Sequence, residues 1–211
     1  MGKTRYLLTN IVIVLVIAAL GIGGYYYYYE STNYVTTDDA TVTGDVVPVS
    51  SMSAGKLTEW QGTEGSTIDQ NQAIGKVTTG NQVASITTPV SGTVVQSTAI
   101  KGQMVTPGQP LAQVVDMNKL YVRANIEETD IADVKAGYDV DIIVDADTNT
   151  TFTGKVETVG YATNSLFSIM PTQNASGDYT KVVQRIPVKI SVDNLPAGIV
   201  PGMNATVKIH K

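Results

Sequence analysis

A chain of 211 residues with 43% hydrophobic content is long enough for one or two small domains plus an anchor, and its 19 glycines with few long periodic segments point to mostly β structure. The absence of cysteine excludes disulfides, thiolate metal sites and a lipid-modified N-terminal cysteine. A single histidine, His210, excludes a multi-histidine metal site and argues against a His-based triad, and a net charge of −5 offers no basic patch for nucleic acid or anionic lipid.

Residues 6–29 form a run of 24 residues without a charge. As a helix this run measures roughly 36 Å, against about 30 Å for a bilayer core. Lys3 and Arg5 precede it and Glu30, Asp38 and Asp39 follow it, so the positive-inside bias puts the N-terminus in the cytoplasm and the bulk outside. Tyr25, Tyr26, Tyr27, Tyr28 and Tyr29 suit the membrane interface. With no clean Ala-x-Ala site, the span reads as an uncleaved anchor in preference to a signal peptide. Residues 1–30 are therefore expected to be a cytoplasmic stub and transmembrane anchor. Of the 14 basic and 19 acidic residues only Lys3, Arg5 and Glu30 precede residue 31, so the exported part is acidic.

Residues 31–45 predict a linker, Ser31 to Thr37, and the start of a leading strand that runs from Ala40 to Val49. Asp38 and Asp39 read as a turn before that strand, not as paired catalytic acids or a cation site.

Next comes a duplication. Ser50 to Thr78 and Thr87 to Val115 match without a gap at an offset of 37 residues, with Gly55 on Gly92, Gly65 on Gly102, Gln72 on Gln109 and Val77 on Val114. Each copy reads as a glycine turn, a short strand (Lys56 to Trp60; Thr93 to Ser97), a second glycine turn and a strand start (Thr67, Ile68; Met104, Val105). A last strand closes each copy (Ala73 to Val77; Pro110 to Val115). Gly55, Gly65, Gly92 and Gly102 are the structural turn positions. Units this short cannot bury an apolar face alone, so the two should pack about a pseudo-two-fold axis. Only Thr79 to Ile86 separate them, room for one tight hairpin.

A boundary is placed after Asp116-Met117-Asn118, giving one domain over 46–118 and another over 119–211. In the second, Leu120 to Ile126, Val140 to Val144, Phe152 to Val159, Gln184 to Val192 and Ala205 to Ile209 read as strands. Glu127 to Lys135 reads as a short helix closed by Gly137. Five or so strands with local connections predict a small β-barrel. Ser165 to Tyr179 reads as a long loop that nevertheless carries Leu166, Phe167, Ile169 and Met170. Apolar side chains on a loop either plug an open barrel end or mark a binding surface. Arg185, just beyond, is a candidate charged anchor of that surface.

The two half-motifs resemble the flattened barrel of biotinyl and lipoyl carrier domains. The carrier lysine of those domains corresponds here to Asn81, which has no amine to acylate, so no cofactor is expected. More widely, TTDDATVTGDVVPVSS after one span, VRANIEETDIADVKAG, and SLFSIMPTQNASGDYTKVVQRIPVKI followed by PGMNATVKI are similar to the HlyD and EmrA type of membrane fusion proteins, the periplasmic adaptor subunits of efflux and secretion pumps. The resemblance implies a mostly β fold: an N-terminal transmembrane helix, a lipoyl-like barrel-sandwich hybrid domain, then a small β-barrel domain. It further implies a non-enzymatic homo-oligomer beside a major facilitator or ABC exporter in the cytoplasmic membrane, extruding drugs or small hydrophobic compounds, and it favours the binding reading of the loop. A membrane-tethered ligand- or envelope-binding module is the alternative. Typical members carry a long α-helical hairpin between the lipoyl halves. Thr79 to Ile86 stand in its place, which puts an outer-membrane channel in doubt.

Overall fold

The structure is a computed structural model that describes residues 2–167, 183–193, 195–196 and 198–211, with side chains of the N-terminal helix described at Ile13 and from Leu15 onward. The uncharged run is helical, as expected. Helix α1 covers Gly2–Asn33 and contains no proline to break it. Among the described residues no helix is long and apolar enough to cross a membrane; the described side chains include only part of the uncharged run.

The linker expected at Ser31 to Thr37 is absent. Ser31 Oγ and Asn33 Nδ2 donate to the carbonyls of Tyr28 and Tyr29, which prolongs α1 by satisfying its last turn. Strand β1 (Tyr34–Thr43) then begins at once. The leading strand is also two strands, β1 and β2 (Val46–Ser50), and they belong to different sheets. Val35 and Ala40 are both buried although five residues apart, a spacing that strict alternation would send to opposite faces. A bulge between Thr37 and Ala40 absorbs the difference. Asp38 and Asp39 are therefore bulge residues, not a turn. At the crossing between the two strands a Cβ on Gly44 would meet Val115 Cγ1 at 2.6 Å and Leu120 Cδ2 at 2.8 Å, so only glycine passes there.

The duplicated stretch forms β3 (Gly55–Trp60), β4 (Thr67–Ile68), β5 (Ala73–Thr79), β6 (Gln82–Thr87), β7 (Gly92–Ser97), β8 (Met104–Val105) and β9 (Pro110–Val115). These make two four-stranded sheets, β2-β9-β7-β4 and β6-β5-β3-β8. In the first sheet the second copy supplies the central pair and the first copy the edges; in the other sheet the roles are exchanged. The symmetry extends to register: Lys56 pairs with Thr78 and Thr93 with Val115, Gly55 with Val105 and Gly92 with Ile68. The bulges coincide too, at Leu57/Glu59 and Val94/Gln96. Leu57, Ile74, Val94 and Leu111 fill the space between the sheets, each fully buried aliphatic contributing about 2–3 kcal/mol.

The glycines of this unit act in two ways. Gly65 and Gly102 have φ of 81° and 96°, the turn conformation expected of them. Gly92 has no positive φ, and its constraint is close approach, since a Cβ would lie 2.5 Å from the Val115 carbonyl oxygen.

Strands β10 (Tyr121–Glu127), β11 (Asp139–Val144), β12 (Asp147–Val159), β13 (Arg185–Val192) and β14 (Asn204–His210) follow. With β1 they close a barrel in the order β1-β10-β13-β12-β11-β14. The expected helix at Glu127 to Lys135 shrinks to a 3-10 turn over Ile131–Asp133. A helix of nine residues is marginal alone, and Val134 leaves the turn to enter the barrel core. Gly137, at φ 91°, closes the segment. A 3-10 turn at Met117–Lys119, capped by Asp116, connects β9 to β10.

Candidate functional site

The pairing of β1 with β10 runs from Ala40↔Ala124 to Thr43↔Tyr121, so the start of β1 lies level with the end of β10. Glu127 at that end pairs with Arg185 at the start of β13, and Val159, the last residue of β12, pairs with Val188. The connection from β12 to β13 therefore leaves and re-enters the barrel at the end where α1 arrives. It begins with a 3-10 turn, Asn164–Phe167, packed against β13. Leu166 on this turn is 71% exposed, and Tyr161 and Val183 of the same connection are exposed as well. Phe167 lies in the same turn; its side chain, and the whole of Ile169 and Met170, fall outside the described residues.

A polar cluster on the outer face of the barrel holds the entrance of this connection. Asn125 on β10 is its centre. The Asn125 carboxamide donates to Asp39 Oδ1 at 2.9 Å and accepts from Asn164 Nδ2 at 2.8 Å, and the Asn125 carbonyl accepts from Thr37 Oγ1 at 3.1 Å. The bulge is locked in turn by Asp39 N, which donates to Thr37 Oγ1 at 3.1 Å. Arg185, singled out as a charged anchor, is partnered within the chain. It donates to Asp39 Oδ2, and its other terminal nitrogen lies 4.0 Å from Glu127 Oε1. A cavity of about 430 Å3 opens beside the cluster, bounded by Val35, Thr37, Asp38, Glu127 and Arg185 among others. Nothing in the sequence marked Asn125. The two adjacent aspartates that break the alternation of β1 were the available signal for the bulge.

Tyr25 to Tyr29 occupy the last turns of α1, and all five are exposed, from 48% to 76%. Five consecutive residues at 100° each pass fully round a helix, so the tyrosines have no preferred side. The side chains of Lys3 and Arg5 are not among those described.

In the sandwich, Asn81 is the exposed second residue of a two-residue turn between β5 and β6. Gly80, the first, takes φ 59°, the conformation a type II′ hairpin demands there. Among the described residues no group of three or more metal-ligating side chains comes together.

Residues 45–116 match the YhbJ barrel-sandwich hybrid domain family and residues 119–210 the AAEA-like beta-barrel domain family. Among curated proteins, a candidate efflux system component of Bacillus subtilis strain 168, YhbJ, is 47% identical over 211 residues, covering 100% of this chain and 95% of its own. The colistin resistance protein EmrA of Acinetobacter baumannii is 38% identical over 128 residues, 60% of this chain. The match spans only 36% of that longer protein. Among solved structures, MacA from Actinobacillus actinomycetemcomitans superposes with a TM-score of 0.67 at 15% identity, over 84% of this chain and 79% of that one, a likeness of fold.

Proposed function

The chain belongs to the HlyD/EmrA-type membrane fusion protein family, and we propose that it is the membrane-anchored adaptor subunit of an efflux pump, held by α1 with its N-terminus in the cytoplasm. In this reading it forms homo-oligomers beside an exporter of the major facilitator or ABC type, in the extrusion of drugs or small hydrophobic compounds. Its contribution is mechanical and not enzymatic: it grips the exporter and extends the path of export.

The observation that carries the reading is the shared end of the barrel, where α1 enters and from which the β12–β13 connection projects. An anchor at that end brings Leu166 and its neighbours next to the membrane, where an exporter presents its outer loops. Leu166, Phe167, Ile169 and Met170 are the proposed docking residues, with Arg185 fixing the base of the connection through Asp39.

The test is copurification and resistance together. Full-length protein extracted in detergent should bring down a many-span transporter, and Phe167→Ala with Met170→Ala should reduce that yield and pump-dependent resistance while the exported part melts within about 2 °C of the parent. A core plug truncated in the same way would lose about 2–5 kcal/mol and melt several degrees lower. That result, or normal melting with undiminished copurification, would sink the docking role.

A further inference from the structure

The last turn of α1 contains no basic residue, although the C-terminus of a helix carries unpaired carbonyls and the negative end of its dipole. Cations are nevertheless present there, and they come from the far end of the chain. Lys208 on β14 ion-pairs with Glu30 in the last turn of α1, and its Nζ sits 3.9 Å above the ring of Tyr34. Lys211 Nζ donates to the carbonyl of Ser31 at 3.1 Å and pairs with Asp133 at 2.8 Å, and Lys211 N donates to the carbonyl of Asn33 at 2.8 Å. Rings continue the contact: Tyr29 meets Tyr34 edge-on at 6.4 Å, and Tyr34 meets His210 at 4.9 Å. His210 in turn bonds Asp141 of β11 at 2.9 Å.

We infer that β14 and the residue that follows it cap α1 in trans, through Lys208 and Lys211, and so make the helix and the barrel one rigid body whose orientation is set by the helix. Three features support this. No residue intervenes between α1 and β1, so the only freedom is a hinge at Asn33 and Tyr34. Both lysines act across that hinge, one gripping Glu30 and the other Ser31. Glu30 holds the Lys208 ammonium above its usual range, chiefly through their hydrogen bond. A single exposed ion pair constrains little. Two lysines, a backbone hydrogen bond and a chain of three rings in edge-on contact around one hinge constrain both its bending and its rotation.

The absence of native cysteine makes the test direct. Spin labels on Ile22→Cys in α1 and Thr151→Cys in β12, both at exposed positions, are placed in the full chain in detergent micelles and their distance distribution is measured by pulsed electron resonance. A single narrow distribution is expected, at least twofold broader once Lys208→Ala and Lys211→Ala are added. A second pair inside the barrel, Arg123→Cys with Thr151→Cys, should stay narrow in both backgrounds. A broad distribution with both lysines in place overturns the inference, as does a narrow one without them. Broadening of the barrel pair would also overturn it, because the lysines would then be holding the barrel and not the hinge.

Discussion

Trp60 and Ser97 occupy the same position in the two copies of the duplicated unit, and they touch: the indole Nε1 donates to Ser97 Oγ at 3.0 Å and to the carbonyl of Gly62 at the same distance. Space for the large ring comes from two glycines. A Cβ on Gly62 would lie 2.8 Å from Trp60 Cζ2, and one on Gly75 would lie 2.7 Å from Trp60 Cε3. In the second copy the corresponding residues are Ser97, Ala99 and Ala112, a small side chain flanked by two methyl groups. The copies thus solve one packing problem in two ways.

Gly75→Ala should therefore destabilise the protein by about 1–3 kcal/mol, the range for overpacking. On a Trp60→Ser background the same change should cost under about 0.5 kcal/mol, because the ring it strikes is gone. Urea melts of the four proteins of this cycle give the coupling. Additive effects would show that Gly75 answers to something other than the indole.

Gly92→Ala should cost about 1–3 kcal/mol or more, since its Cβ meets the backbone of Val115 and backbone moves less readily than a side chain. Asn81→Ala, at the exposed turn, should stay within about 0.5 kcal/mol. Thermal melts separate the two, and equal losses would refute the close-approach argument.

The acid response should report on the joint between the domains. Asp116 accepts from Asn118 N at 3.0 Å, and this bond is the main reason its carboxyl lies below the ordinary value of 3.8. A carboxyl depressed in the folded state stabilises at pH above its unfolded value and loses that contribution as pH falls through the folded one. Asp116→Ala should cost about 1 kcal/mol at pH 7, a typical cap, and the gap from the parent should narrow as the pH falls below the ordinary value of 3.8 and through the depressed folded one. A gap that persists in acid would mean that charge and cap are not its source.

Asn125→Ala removes the two side-chain hydrogen bonds, to Asp39 and from Asn164, while the main-chain carbonyl that Thr37 uses stays in place, and it should cost about 1–3 kcal/mol. Hydrogen exchange should quicken at Asn164 to Phe167 and around Arg185 while the sandwich amides keep their protection. Uniform quickening would make Asn125 an ordinary barrel residue.

The strands of the duplication were legible because turns recur at fixed spacing. Pro110 to Val115, Met104-Val105 and Thr67-Ile68 are strands with the limits read from sequence. The membership of β1 was not legible, because the bulge at Asp38 and Asp39 shifts the parity of its alternation and hides its barrel face. The cluster around Asn125 was hidden for another reason. Its partners lie 86 and 39 residues away, and Arg185 reaches Asp39 across 146. Polar residues on the outside of a barrel look alike until register brings particular ones together.

The exchange of strands between the two copies has a further consequence. A chain nicked at Asn81 would leave two fragments, each owning the edges of one sheet and the middle of the other, and neither could depart without stripping both sheets. The covalent bond at that tip therefore contributes little to holding the domain together, and extra residues there would add only a loop-closure cost that grows slowly with length. The Gly80-Asn81 turn is thus a place where the domain could acquire or discard an arm without being rebuilt.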